Sequence, residues 1–573
     1  MATEAETEPT SAPLGKPADL VTEPVAEPTI MRARAMSFVG ESLHILHMDY
    51  NEAPIIHAFV LLENQFDMEV RGPGSPRIFF PAARQSCTLR RSVLFRRLRQ
   101  SVKRTLQTIA DTSPRFRSTI ARDERRHLRR YNWIPCPEKE SIPDQVLRYA
   151  HVGLDGSVRE RDHPPQLDMS FERDARKAER HKAHFVGSMM KRPFRMGKPL
   201  WEVWVMAYEA DPERHELIFR LSHSIGDGIT LATVLLSVAE SDGAAEPAPT
   251  PNPPRAGLLS LIWGGITAVY IHICAFLKVA ALVMYRNDSR SAVRPPGIFD
   301  QSRQAARQCV ELAEAAGQEG DSLLVPAQVT PSPYGFAEKT FPLERIKDIC
   351  SAAGRRTGRK YTVNDVIQAA HYATVRRYLE THDPPQRSLL RKTTGLIVMN
   401  TRALGGLQQG GFSRDAPWGN EIGYIFLDYR LSGSTDAASA LRLLEAARRD
   451  MAFFKRSPEP HFIVMVNRLL RRLVPTGTFL NINRFLVRKN SIILSNLRGP
   501  LLPLKFGGNP IVNVSNCVSP MMLSSAHSFF SYNGHLTYCV SAVAQVISDP
   551  NAFAELFEQE INLLHDAVSK VEE

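Results

Sequence analysis

The residues best suited to chemistry sit together in one stretch, Arg220-Leu221-Ser222-His223-Ser224-Ile225-Gly226-Asp227-Gly228-Ile229. Histidine exchanges protons near neutrality, with an unperturbed pKa of about 6.5. Held by an aspartate four residues on, His223 is a candidate general base. A solvated turn histidine fits the same residues equally well. The run before it, Glu216-Leu217-Ile218-Phe219, predicts a buried strand, and the run after it, Ile229 to Glu240, an apolar helix. His223 thus falls where a strand gives way to a helix, with Gly226 and Gly228 permitting a tight turn.

Other elements must position that turn. Pro199 ends an irregular stretch, and Trp201 to Tyr208 is an aromatic, strand-like run. Ile55 to Leu62 predicts a second buried strand. Beyond the histidine turn, Asp242 to Ala256 is rich in Ala, Pro and Gly and reads as a linker. Gly257 to Leu277 carries no formal charge and is long enough to span a bilayer. Leu343 to Ala353 is an amphipathic helix. Thr362-Val363-Asn364-Asp365 opens another, Val366 to Leu379, with Asn364 and Asp365 where helix caps lie. Gly395 to Arg402, Ile422 to Leu427, Ser491 to Asn496 and Leu536 to Val546 read as strands, Phe462 to Val474 and Ala552 to Ser569 as helices. This order predicts two α/β lobes, each around a mixed sheet: residues 36–241 and 337–573. A linking segment, 242–336, separates them, and residues 1–35, acidic and proline-rich, form a disordered tail.

At 573 residues the chain exceeds one small core, and 43% hydrophobic with 23% charged residues is a globular composition. The net charge of +11 admits nucleic acid, an anionic membrane or a phosphorylated ligand. No zinc-finger spacing or RNA-binding signature is present, so nucleic acid is not expected. The seven cysteines are scattered without metal-ligand spacing or a disulfide framework, which suits a reducing compartment. The acidic N-terminus lacks the apolar core of a signal peptide. His44 and His47, three apart with no third ligand nearby, read as structural, and no metal is expected. Cys87 to Ala110 has an apolar stripe backed by seven cations. It is either a core-facing helix with a solvated basic back or a helix lying on an anionic membrane.

The heptad Ser222 to Gly228 resembles the His-His-x-x-x-Asp-Gly signature of the CoA-dependent acyltransferase superfamily. Further segments follow in register: Pro199-Leu200-Trp201-Glu202, Thr362-Val363-Asn364-Asp365, Gly419-Asn420 and Ser495-Asn496-Leu497-Arg498-Gly499-Pro500. Together they resemble the bifunctional wax ester synthase/diacylglycerol acyltransferase family, from about Met36 to about Leu564, with Ser222 where the family has its first histidine. The resemblance implies a two-lobed, chloramphenicol acetyltransferase-like α/β fold with mixed sheets and an interlobe tunnel. It implies that His223 takes a proton from a fatty alcohol or diacylglycerol attacking acyl-CoA, and returns it to the CoA thiolate. Asp227 would support the loop, in such proteins often through an arginine. Ser222 and Gly228 would support the motif, and Pro199 and Trp201 would wall the tunnel. Asn364, Ser495 and Asn496 become candidates for substrate or oxyanion contact, competing with capping and strand termination. Acyl-CoA is a substrate, and no cofactor is implied.

A protein of this kind is expected on a membrane, at the cytosolic face of the endoplasmic reticulum or a lipid droplet if the source is eukaryotic. One crossing at 257–277 would part His223 from Asn364 and Ser495, so the segment is expected to lie in one leaflet. An acyltransferase with another hydroxyl acceptor and a non-catalytic lipid-binding relative remain as alternatives.

Overall fold

Runs of β-branched and aromatic residues pair into two mixed sheets, and the histidine turn lies where they meet. The computed structural model describes residues 34–35, 55–62, 102–122, 131–136, 141–161, 174–241, 334–382, 393–401, 419–429 and 437–569, less positions 191, 196, 488 and 522, together with six residues between 269 and 277. His44, His47 and most of 242–336 lie outside the described residues.

Across the first sheet the strands run Val158–Arg161, Leu147–Val152, Trp201–Tyr208, Asp211–Ser222, Ile55–Leu62, Asn509–Val518, Leu504–Phe506 and Glu240–Ser241. Leu147–Val152 and Trp201–Tyr208 are parallel, and the pairs flanking Ile55–Leu62 are antiparallel. Ile55–Leu62 is buried along nearly its whole length. Such a strand needs pairing on both edges, since an open apolar edge invites association. Its second partner, Asn509–Val518, arrives from the C-terminal half of the chain. The two sheets therefore do not divide at residues 241 and 337: Leu504–Phe506 and Asn509–Val518 belong with the N-terminal strands. Two smaller differences concern the boundaries. Pairing begins at Tyr334, before the expected 337, and Arg34–Ala35, placed in the tail by composition, pairs with Asn132 and Trp133.

The second sheet runs Tyr334–Pro342, His535–Val543, Ser525–Tyr532, Ile492–Arg498, Thr394–Asn400 and Ile422–Asp428. Its main core is shared with helices Leu343–Thr357, Val363–His382, Ala437–Phe454 and Pro550–Ser569. Val363–His382 is buried on nearly every side, as its weak periodicity requires. The helical residues 102–112 send Val102, Leu106, Ile109 and Ala110 into the first sheet's core. The described part of the basic helix thus uses its apolar stripe internally.

Helix Ala175–Met189 ties the sheets together through Lys182, whose side chain is 1% exposed. Its ammonium lies 2.5 Å from Glu216 of the first sheet and also pairs with Glu338 of the second. Burial alone would lower the pKa of the Lys182 ammonium, and Glu216 and Glu338 outweigh it and raise it. Burial, together with the Glu179 and Glu216 charges, raises the Glu338 carboxyl in spite of Lys182. Replacing Lys182 with Met would take the shared cation from both carboxylates; Glu216 would keep Arg214, 3.1 Å away, so the uncompensated group would be Glu338. Removing one partner of a buried pair typically costs about 3–5 kcal/mol, so urea denaturation at neutral pH should show a loss of that order. An uncompensated buried carboxyl has a folded pKa above its unfolded one, so its penalty is absent when protonated and grows as pH rises. The deficit should therefore be smaller at pH 5 than at pH 8.

Candidate active site

Strand Asp211–Ser222 delivers the histidine, and its last residue begins the turn. Ser222 N–H donates to Leu200 O at 2.9 Å, which fixes the Pro199–Trp201 piece beside it, and Ser222 O accepts Ile225 N–H at 3.0 Å. The Ser222 and Ser224 hydroxyls are 2.8 Å apart, both buried. Ser222 thus serves the turn from within.

Asp227 then starts helix Gly228–Val238. Its Oδ1 accepts Thr230 N–H at 3.0 Å, the geometry of an N-cap. Its Oδ2 accepts Glu421 N–H at 3.0 Å. Residues 419–421 lead into Ile422–Asp428 of the second sheet, so one buried carboxylate joins the histidine turn to the other half of the molecule. Thr230 Oγ1 adds a bond to Gly419 O at 2.9 Å. Gly419 has φ +123°, and a Cβ there would lie 3.3 Å from Arg115 Nη1. A side chain at that position would be strained and would also press on the guanidinium. Arg115 in turn donates to Ile225 O at 2.8 Å. Arg115 thus contacts the loop at a backbone carbonyl, whereas the expectation concerned an arginine acting with Asp227.

His223, 8% exposed, is gripped by Asn420 at two points. Asn420 Nδ2 donates to His223 O at 2.9 Å, which turns its Oδ1 toward the imidazole Nδ1, 2.8 Å away. Only a protonated Nδ1 satisfies that carbonyl, so Nε2 carries the lone pair and is the atom able to accept a proton. Burial lowers the His223 pKa, opposed by the Asp227 charge and the Asn420 bond, with a net downward shift. The ring is thereby kept neutral at neutral pH. In the sequence Gly419-Asn420 stands out only through the family resemblance, and Arg115 does not stand out as a site residue. The available signal was a Gly-Asn pair opening an apolar strand.

The remaining candidates form a second cluster. Asn496 Nδ2 donates to Asn364 Oδ1 at 2.8 Å, joining strand Ile492–Arg498 to the start of helix Val363–His382. Capping there falls to Asp365, whose Oδ2 accepts Thr362 N–H at 2.7 Å. Ser495 is half-buried on the same strand. Leu497, one residue beyond Asn496, presses on Gly228: a Cβ on Gly228 would lie 2.8 Å from Leu497 Cδ1. That contact brings the second cluster's strand against the helix that Asp227 caps. Pro199 is buried, and Trp201, 1% exposed, packs edge-on against Phe116 while its indole N–H donates to Phe116 O at 2.9 Å. Trp201 thus anchors the turn that carries Arg115. Behind Gly228, an apolar cavity holds about 630 Å³ of empty space, part of it open to solvent. Ala58, Leu231, Leu497 and Phe530 are among the residues that line it.

Two mixed sheets joined by a crossover strand, with a buried histidine on the turn between them, form the scaffold to set beside known proteins. The solved wax ester synthase/diacylglycerol acyltransferase from Marinobacter aquaeolei VT8 superposes with a TM-score of 0.51 at 13% identity, covering 92% of this chain and 98% of its own. The first condensation domain of the calcium-dependent antibiotic synthetase also gives 0.51 at 13%, covering 94% and 97%. The Arabidopsis thaliana wax ester synthase/diacylglycerol acyltransferase 5 is 22% identical over 421 residues, which is 67% of this chain and 75% of the relative. The family model for the wax ester synthase/diacylglycerol acyltransferase catalytic domain matches residues 145–367, and that for the WS/DGAT C-terminal domain matches residues 418–565. Together these span more than half of the chain, and it belongs to the wax ester synthase/diacylglycerol acyltransferase family.

The double grip on His223 makes Asn420 its positioning residue. Asn420→Ala frees both the ring tautomer and the backbone carbonyl. We expect acyl transfer to fall about a hundredfold, the scale of a 1 Å misplacement, with the melting temperature little changed. Asn420→Asp, which keeps an acceptor for Nδ1 and loses the donor to His223 O, should recover part of the rate and raise the apparent pKa of His223.

Proposed function

We propose that the protein transfers a fatty acyl group from acyl-CoA to the hydroxyl of a long-chain alcohol or a diacylglycerol, working against a membrane surface. The observation that carries this is the buried, neutral His223 whose Nδ1 is committed to Asn420 and whose Nε2 lone pair is left for a proton. In the proposed step the acceptor oxygen attacks the thioester carbonyl carbon while Nε2 takes the hydroxyl proton. The tetrahedral intermediate then collapses, the C–S bond breaks, and the proton passes to the thiolate, giving ester and free CoA. Proton and electron pairs balance without a covalent acyl-enzyme or a cofactor.

A developing oxyanion needs donors aimed at it. We assign that task to the Asn364–Asn496 pair and to Ser495. In the pair Asn364 is the acceptor, so its own amide hydrogens remain as donors. The cavity behind Gly228 suits a hydrocarbon chain, since its lining is almost wholly apolar. Family membership supports acyl transfer as the reaction class. Among the described residues, which leave out most of 257–277, no helix is long and apolar enough to cross a membrane.

The test is an assay of the purified chain with radiolabelled palmitoyl-CoA and either hexadecanol or dioleoylglycerol, the products separated by chromatography. His223→Ala should lose about a hundred- to ten-thousandfold in rate. A variant within about threefold of the parent would overturn the base assignment. Ser222→His should change the rate only modestly. Because burial lowers the His223 pKa, the base stays unprotonated at pH values where an ordinary histidine would be charged. The acid limb of the kcat/KM profile should therefore have its midpoint below about 6.5. A midpoint above 7 would contradict the buried, neutral ring.

A further inference from the structure

Helix Glu459–Leu473 packs on the strand that follows the His223 clamp, and packs there closely. A Cβ on Gly423 would lie 2.3 Å from Pro460 O, so only glycine admits the helix. Phe462 is buried beneath it, yet Met465, Leu469 and Leu473 are 45%, 53% and 69% exposed. Spacings of three and four residues put all four on one stripe. Phe276 covers the first turn of that stripe, its ring centroid 6.1 Å from that of Phe462, and is itself exposed, as is Leu277. Phe485, on the next helix Thr476–Val487, is exposed as well.

Charge completes the pattern. From Glu459 to Lys489 the sequence has six cations, Arg468, Arg471, Arg472, Arg484, Arg488 and Lys489, and Glu459 is its single acid, buried. An exposed apolar stripe in a segment this basic has the chemistry of a helix lying in a lipid interface: apolar side chains enter the acyl region and cations meet anionic headgroups. A contact with another protein would ordinarily include acids to pair with, or a charge-depleted centre.

We propose that this stripe, extended by Phe276 and Leu277, docks the protein in-plane on a lipid surface bearing anionic headgroups. Docking would also hold the histidine loop at that surface. Arg468 of the helix pairs with Glu421 at 2.6 Å, Glu421 N–H holds Asp227, and the neighbouring Asn420 holds His223. The residue that Arg468 grips and the residue that clamps His223 are thus neighbours in the chain. The docking itself is independent of the acyl-transfer reading, whereas its consequence for activity rests on that reading.

Flotation of the full-length protein with phosphatidylcholine vesicles, with and without phosphatidylglycerol, tests the proposal. The parent should float with the mixed vesicles and less so at high salt. The double variant Leu469→Asp/Leu473→Asp should bind about tenfold less or weaker still. Leu563→Asp, an exposed change on the C-terminal helix, should bind like the parent. Both positions of the double variant are exposed, and a thermal melt checks that it folds. Its rate on hexadecanol carried in vesicles should fall with binding, while its rate on a short water-soluble alcohol stays within twofold. A double variant that floats like the parent would overturn the docking face. So would a parent that never floats and whose dimer, on size exclusion, is broken by the double variant, since the stripe would then join two copies. If vesicle binding follows the stripe but no acceptor is esterified, the docking face stands and the acyl-transfer reading fails.

Discussion

The Asp227 carboxylate is the constraint on which the site depends. It is buried where the two sheets meet and uses one oxygen to cap helix Gly228–Val238 and the other to hold Glu421 N–H. A buried carboxylate left unpaired would be costly. Cap and crossing bond are therefore satisfied together or lost together. The four-residue spacing from His223 follows from this: the strand must end, the turn must close, and the carboxylate must reach the first helical N–H groups. The histidine then emerges beside Asn420, the residue preceding Glu421.

The same logic of shared groups recurs around the junction. Lys182 serves a glutamate from each sheet, and strand Asn509–Val518 leaves the C-terminal half of the chain to close the edge of Ile55–Leu62. Because the halves are joined by buried charge and by backbone pairing, sliding one against the other would expose several polar groups at once. A rigid junction suits the proposed base, which would have to meet groups from both sides, since misplacement by 1 Å is enough to slow catalysis. Ser222 fits this frame. It closes the turn against Ser224, and the grip on the imidazole comes from Asn420, so the orientation of His223 does not require a histidine at the preceding position.

The position of helix Glu459–Leu473 explains a feature that function alone would not. Glycine at 423 costs strand stability, yet it lets the Pro460 backbone approach within contact. Close packing there sets the exposed stripe and the histidine clamp on a common support. Apolar substrates dissolve in lipid rather than in water, so under the proposed docking a site carried by this element would draw them from where they are concentrated.

Much was legible in the sequence. Periodicity and β-branched runs predicted strands at 55–62, 201–208 and 422–427 and helices near 343–353 and 366–379, because burial on a pleat or a helix face leaves its period in the residues. The His223–Asp227 spacing on a strand-to-helix turn was legible as well, since that turn is local. What the sequence left open was decided across long separations. Nothing local to Asn509–Val518 says that it will pair with Ile55–Leu62, because a strand's partner is set by which apolar edge remains to be covered. Nothing local to Asn420 says that it will meet His223, 197 residues away. Asn364 showed the same limit: beside Asp365 it read as a cap, and only the arrival of Asn496 from another strand determined which of the two caps the helix. Local chemistry was written in the order of the residues, whereas the choice among its uses depended on which neighbours folding brought within hydrogen-bond distance.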